Sequence, residues 1–173
     1  MTATRLLSLD DVPALAELYR DNRDFLAPWE PARDAAFYSV EGQRAAVEGS
    51  LTRYKQGLSH PRVILNESGA VVGRVNLSEI VRGAFQSCSL GYWVSAGDNG
   101  RGLATAAVRE TVAAAFGELR LHRVQAATLL HNVRSQRVLE RNGFIRIGMA
   151  PEYLNIAGRW QDHFLFHVVA RTA

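Results

Sequence analysis

The chain predicts an α/β fold of mixed α+β character, a central twisted mixed sheet of about seven strands flanked by about four helices. Three observations predict it. Apolar residues switch along the chain between a period of two and a period near 3.6. The segments so defined follow the order β α α β β β α β α β β, with no repeat and no linker. In the middle, a short apolar strand runs through Gly91-Tyr-Trp-Val-Ser-Ala-Gly-Asp-Asn-Gly-Arg-Gly102 straight into a long helix. At 173 residues, with 47% hydrophobic and 21% charged residues, the chain reads as a single domain over 1–173 with a core that needs no staples.

Residues 4–9 read as a first strand. Asp10 and Asp11 then cap a helix in which Val12, Leu15, Leu18 and Tyr19 keep helical spacing. Asp24-Phe-Leu-Ala-Pro-Trp-Glu-Pro31 stops regular structure, because proline removes a donor and clashes with the preceding turn. Trp29, between the prolines, reads either as a buried plug or as part of a substrate wall. A second helix covers 40–56, with Ala46, Val47, Leu51 and Tyr54 on one side and Gly57 as its stop. Residues 62–66 and 71–77 form a hairpin, and 89–94 is the strand entering the glycine-rich loop. The helix over 102–119 buries Leu103, Val108, Val112, Ala115, Phe116 and Leu119. A strand at 123–129, a short helix at 132–142 ended by Gly143, and strands at 145–149 and 163–169 complete the order. The succession of strand and helix around the loop predicts parallel pairing in the second half of the sheet.

Gly97, Gly100 and Gly102 let the backbone turn tightly with its N–H groups uncovered. A helix start leaves about four N–H groups unpaired, under partial positive charge. Strand, loop and helix start therefore make a phosphate cradle at Asn99, Gly100, Arg101, Gly102, Leu103, Ala104 and Thr105. A dinucleotide fingerprint would need a third glycine where Thr105 stands, and a P-loop would need Gly-Lys-Ser/Thr, yet the single lysine is Lys55.

The net charge is +3, and all but one of the 20 basic residues are arginines scattered without a basic run. That pattern predicts no direct nucleic-acid contact. A single cysteine, Cys88, excludes an internal disulfide and suits a small buried residue in a reducing cytoplasm. No apolar run reaches the roughly 18 residues of a membrane span, and the first residues lack a signal-peptide pattern, so a cytoplasmic chain with no membrane contact is expected. His163 and His167 sit on a strand, where four residues span about 13 Å, so they cannot chelate one ion. His131 lies beside Asn132, while His122 and His60 read as loop residues; no metal is expected.

Asn99-Gly-Arg-Gly-Leu-Ala104 resembles the Q/R-x-x-G-x-G/A signature of the GNAT acyl-CoA-dependent N-acetyltransferases, with Asn99 where Gln or Arg is usual. Asn132-Val-Arg-Ser135 followed by Val138-Leu-Glu-Arg-Asn-Gly-Phe144 is similar to their second signature, N-x-x-S…L-x-x-x-G-F. More narrowly, Leu26-Ala-Pro-Trp-Glu-Pro31, Asn76-Leu-Ser-x-x-Val-Arg-Gly83, Leu90-Gly-Tyr92 and Tyr153-Leu-x-Ile-x-Gly-x-Trp-x-Asp-His163 resemble the RimJ-type branch, which acetylates the N-terminal alanine of a ribosomal protein.

The resemblance implies the GNAT fold, acetyl-CoA as co-substrate, and direct attack by an amine in a ternary complex. The loop amides would hold the pyrophosphate, the strand backbone at Tyr92, Trp93 and Val94 would pair with pantetheine, and Asn132 would bond a pantetheine amide. Ser135, or Tyr153, would protonate the departing thiolate. Glu152 stands where a related branch carries its proposed base. Glu30 and Glu79 are further carboxylates for base or ammonium binding, and Trp29 and Arg82 lie in loops that would shape the acceptor site. An α-amine costs only about 1 kcal/mol to deprotonate at pH 7, whereas a lysine costs roughly 5, which favours a protein or peptide N-terminus with a modest base. Two alternatives stay open: a small-amine acetyltransferase acting on an amino acid, polyamine or antibiotic, and an acyl-CoA-binding regulator with little turnover. Oligomeric state is not read from the sequence.

Overall fold

The computed structural model describes residues 3–170. One sheet runs through it, with strands β1 (Thr4–Leu6), β2 (His60–Leu65), β3 (Val71–Val81), β4 (Ser87–Val94), β5 (Arg123–Leu129), β6 (Ile145–Ile156) and β7 (Arg159–Val169). Their spatial order is β1-β2-β3-β4-β5-β7-β6. Helices α1 (Val12–Asp21), α2 (Arg23–Leu26), α3 (Val40–Lys55), α4 (Leu103–Gly117) and α5 (Val133–Arg141) cover it. The mixed sheet and the order of its elements follow the sequence, with α2 added as one turn just before Pro28.

Strand alternation sorts the side chains into two cores. Val75 and Leu77 of β3 and Cys88, Leu90 and Val94 of β4 pack with Val108 and Ala115 of α4 and Leu139 of α5. On the opposite face, Leu7, Val12, Leu15, Val47 and Val63 form a smaller core under α1 and α3. Burial pushes the Cys88 thiol up to about 12, so it stays a protonated core residue rather than a nucleophile.

Parallel pairing is confined to one junction, Ser87↔Arg123, Cys88↔Val124 and Ser89↔Gln125. The second half of the sheet is otherwise antiparallel, which corrects the sequence expectation. The reason is a tight hairpin: Ala157 and Gly158, at φ 52° and 79°, join β6 to β7, and two left-handed turn residues suit a two-residue hairpin. β7 therefore folds back between β5 and β6 and pairs antiparallel with both.

Two further readings change. Asp11 precedes α1 but does not cap it with its side chain. Its carboxylate accepts the Ser8 N–H at 2.9 Å and Arg5 Nη1 at 2.8 Å, which ties β1 to the start of α1. His60 opens β2 and is buried rather than looped out, with the Tyr54 ring of α3 against it at 5.5 Å between centroids.

Candidate active site

β4 and β5 pair for three residues and then part. Beyond Ser89 and Gln125 their facing edges have no ladder partner in each other, while β4 stays paired to β3 and β5 to β7. The gap opens a cavity of about 400 Å³ with lining from both faces of the sheet. Tyr92, Ala104, Ser135 and Val138 form its wall on the α4/α5 face; Phe25, Leu26, Trp29 and Trp93 form its wall on the α1/α2 face. Alternation sends Trp93 opposite to Tyr92, where its Nε1 donates to Tyr19 Oη of α1 at 3.0 Å. Unpaired strand edges beside a cavity suit an extended ligand carrying amides.

A second hollow of about 430 Å³ continues from the first along the start of α4. Gly100 and Gly102 are left-handed there, at φ 81° and 79°, whereas Gly97 is not. The left-handed region costs a side-chain-bearing residue about 1–2 kcal/mol, so these two positions need glycine. The first α4 N–H with a helical partner is that of Ala106, which donates to Gly102 O at 3.0 Å. The N–H groups of Leu103, Ala104 and Thr105 precede it, at the positive end of the helix dipole. Asn99 pins the loop through Nδ2, which donates to Val94 O at 3.2 Å and Ser95 O at 2.8 Å. Arg101 is exposed, 3.7 Å from the Asp98 carboxylate. Across the hollow stand Arg134, Arg137 and Arg141 of α5. Their spacing puts them on one helix face, a signal present in the sequence but not used in the motif reading. This donor-rich, cationic lining fits the phosphates of acetyl-CoA.

At the middle of the cavity, Asn132 Oδ1 accepts the Ser135 N–H at 3.1 Å and starts α5. The Ser135 hydroxyl meets the Tyr92 hydroxyl at 2.8 Å, and Tyr92 Oη also donates to Ser135 O at 3.1 Å. Burial pushes the Tyr92 phenol up to about 12 despite the Ser135 contact, so it holds its proton firmly. The side-chain role of Tyr92 was not legible in the sequence, where only its backbone stood out.

The acceptor-side residues are more dispersed. Trp29 is a cavity wall, its ring 5.4 Å from that of His131. Glu30 is half-buried; burial pushes its carboxyl up, partly offset by Arg33 and Arg74. Its carbonyl accepts the Ala157 N–H at 2.9 Å, tying the β6–β7 turn to this loop. Glu79 accepts Ser89 Oγ–H at 2.8 Å, further along the α1/α2 face. Arg82 lies away from the cavity and donates to Leu119 O at 2.5 Å, holding the turn before β4 against the end of α4. Glu152 and Tyr153 are exposed and do not line the cavity. Glu152 is left-handed, at φ 44°, where the β6–β7 register shifts between Ala150 and Leu154. Its N–H donates to Asp162 Oδ1 at 2.9 Å. The Tyr153 ring lies 5.9 Å from that of His163, which pairs with Leu129 of β5. Among the described residues, no three His, Cys, Asp or Glu side chains are grouped to hold a metal, and no helix is long and apolar enough to cross a membrane.

A splayed β4–β5 junction beside a glycine-loop helix start suits an extended ligand that carries amides and phosphates, and comparisons with known proteins identify the class as the acyl-CoA-dependent N-acetyltransferases. Residues 4–145 match the Acetyltransferase (GNAT) domain family. The chain is 37% identical over 164 residues to a Bacillus subtilis protein described as "Probable N-acetyltransferase YjcK", covering 92% of this chain and 88% of that one. It is 35% identical over 162 residues to the Escherichia coli [ribosomal protein uS5]-alanine N-acetyltransferase, covering 93% and 84%. The structure of Mycobacterium smegmatis RimJ in complex with CoA-disulfide superposes with a TM-score of 0.92 at 30% identity, covering 96% of this chain and 81% of that one. The chain belongs to the GNAT acetyltransferase family. It is an acetyl-CoA-dependent N-acetyltransferase.

Proposed function

We propose that this chain acetylates the α-amine of a protein N-terminus, with the N-terminal alanine of a ribosomal protein as acceptor, as one domain over 1–173 acting in the cytoplasm. The observation that carries the reading is the two-sided cavity. Its α4/α5 wall has phosphate-binding amides and a hydroxyl pair, and its α1/α2 wall is open and aromatic. Similarity to the Escherichia coli alanine N-acetyltransferase supports the acceptor.

Acetyl-CoA supplies the activated acetyl thioester. The amides of 102–105 with Arg137 and Arg141 hold its phosphates, the free edge of β4 at Tyr92 to Val94 takes its pantetheine, and Asn132 offers its Nδ2. Ser135 gives its proton to the sulfur as it leaves, with the Tyr92 hydroxyl hydrogen-bonded to it. An aliphatic hydroxyl is a weaker acid than a phenol, so the Ser135 proton leaves as Tyr92 replaces it along their hydrogen bond, and Tyr92 is reprotonated from solvent. On the other wall the amine must lose a proton. At about 1 kcal/mol for an α-amine at pH 7, a modest base suffices. Glu152, outside the cavity lining, takes that proton through water. Its left-handed conformation in a strand irregularity supports the assignment, since bulges commonly re-aim side chains beside active sites.

The test is thiol release from acetyl-CoA with a peptide beginning in alanine, the same peptide with a blocked N-terminus and an internal lysine, and a panel of small amines. Turnover confined to the free-alanine peptide is expected. Turnover confined to small amines would overturn the acceptor.

A further inference from the structure

Cross-strand pairing puts Arg74 opposite Trp93 and Asn76 opposite Gly91. Directly opposed residues share a face, so Arg74, Asn76, Gly91 and Trp93 all belong to the α1/α2 side. β4 is the central strand of seven, yet Gly91 is exposed, and a Cβ built on it would meet nothing within 4 Å. The sheet therefore carries an open slot there, leading from the cavity wall at Trp93 toward Ser89 and Glu79.

The floor of this slot holds donors without partners. Arg74 is only 7% exposed, and among the described residues it forms no salt bridge. Its one hydrogen bond among them runs from Nη2 to Asn76 Oδ1 at 3.3 Å, and its buried Nε has none. A guanidinium has donors only, so Asn76 must turn its oxygen to Arg74 and its NH2 elsewhere. A buried cation without a partner is strongly disfavoured unless something pairs with it. An acidic group that feels its charge, Glu30, is itself half-buried beside the cavity wall. Two donor groups side by side next to an open slot want oxygen acceptors from outside the chain.

We propose that Arg74 and Asn76 bind the backbone carbonyl oxygens that follow the reacting α-amine, so that the enzyme reads an extended peptide and not a bare amine. This rests on the N-terminal-amine function proposed above. The amine end lies toward Trp93 and the cavity, and the acceptor chain crosses Gly91 toward Ser89 and Glu79. The four steps along β4 from Trp93 to Ser89 span about 13 Å, room for roughly the first three or four acceptor residues. Glycine at 91 leaves space for that backbone, and the Arg74 charge gains its partner only when the acceptor is present.

The experiment compares steady-state kinetics of trialanine amide with those of but-3-yn-2-amine, which keeps the amine and methyl group and, through its alkynyl group, an acidity close to that of an α-amine, but lacks the carbonyl. Arg74→Met is expected to raise the KM for the peptide roughly tenfold, the scale of a lost charge-assisted hydrogen bond. The KM for acetyl-CoA and the kcat/KM for but-3-yn-2-amine should stay within about twofold of wild type. Gly91→Val, which fills the slot at a position with ordinary φ, should raise the peptide KM in the same selective way and guards against misfolding of Arg74→Met. If the wild type acetylates the peptide and both variants leave the peptide KM unchanged, or change both acceptors equally, the subsite is wrong while the N-terminal function stands. If the wild type does not acetylate the peptide at all, the function and the subsite fall together.

Discussion

The two walls of the cavity are built in different ways. On the α4/α5 side the polar lining groups come from two continuous stretches, 99–105 and 132–135, each a loop running into a helix start. Their donors are backbone amides and a capping carboxamide, fixed by two left-handed glycines and one side-chain cap. On the α1/α2 side, Phe25 and Trp29 are distant in sequence from Trp93 and line the cavity with it only because α2, the loop after it and β4 pack together; Arg74 stands opposite Trp93 on β3. One wall is conformational and local, the other tertiary. The first should fail when a single backbone geometry or hydroxyl is lost; the second should degrade by degrees.

The largest test of that contrast is Ser135→Ala. Losing a positioned proton donor should lower kcat roughly a hundredfold, with acetyl-CoA affinity nearly unchanged. An acetyl thioester of a more acidic thiol should recover most of the loss, because its sulfur needs no proton to leave. Full activity in Ser135→Ala would move the donor elsewhere, with the adjacent Tyr92 hydroxyl next in line.

Gly102→Glu comes second. A carboxylate at the start of α4 repels the phosphates and neutralises the positive end of the helix dipole that attracts them, so acetyl-CoA binding should weaken at least about tenfold by calorimetry. Gly102→Ala carries the left-handed strain without the charge and separates the two causes. Equal affinity of Gly102→Glu and wild type would remove the loop from the site.

The acceptor wall should respond more mildly. Glu152→Gln should lower turnover of an alanine peptide roughly fivefold at pH 7, and the gap should close above about pH 8, where an α-amine is already neutral. A gap that persists at pH 9 would show that Glu152 acts otherwise than as a base.

This contrast also explains what could be read from the sequence. The loop-and-helix-start geometry at Asn99 to Thr105 and Asn132 to Ser135 was legible because the residues that turn the backbone are adjacent to the helix-start amides they expose. Gly57, Gly102 and Gly143 mark their helix boundaries for the same reason, each at positive φ. Arg74 was illegible: a lone arginine in an apolar strand acquires meaning only through Trp93 and Gly91 on the neighbouring strand. His60 read as a loop residue because the helix that buries it ends several positions earlier. The parallel second half failed because the 157–158 turn, not the intervening α5, decides where β6 and β7 go.

A change outside both walls gives the control. Burial alone would raise Asp11, but the Arg5 guanidinium and the Ser8 N–H outweigh it and hold the carboxyl below its ordinary value. A carboxyl with a depressed folded pKa stabilises the fold above its unfolded pKa, near 3.9, and loses that contribution as pH falls through the folded value. Arg5 is half exposed, so solvent screening reduces the worth of the pair. Asp11→Asn should therefore cost about 1–2 kcal/mol at pH 7, seen as a drop of roughly 3–6 °C in Tm. The difference from wild type should shrink as the pH is lowered below about 4, because wild-type Asp11 then becomes neutral as well. Neither KM should move, since Asp11 touches neither wall. A Tm difference that stays constant from pH 7 to pH 3 would mean that packing, not the carboxylate, holds β1 to α1. A shifted KM for either substrate would mean that the two walls feel the β1–α1 corner, and the division between a local and a tertiary wall would have to be redrawn.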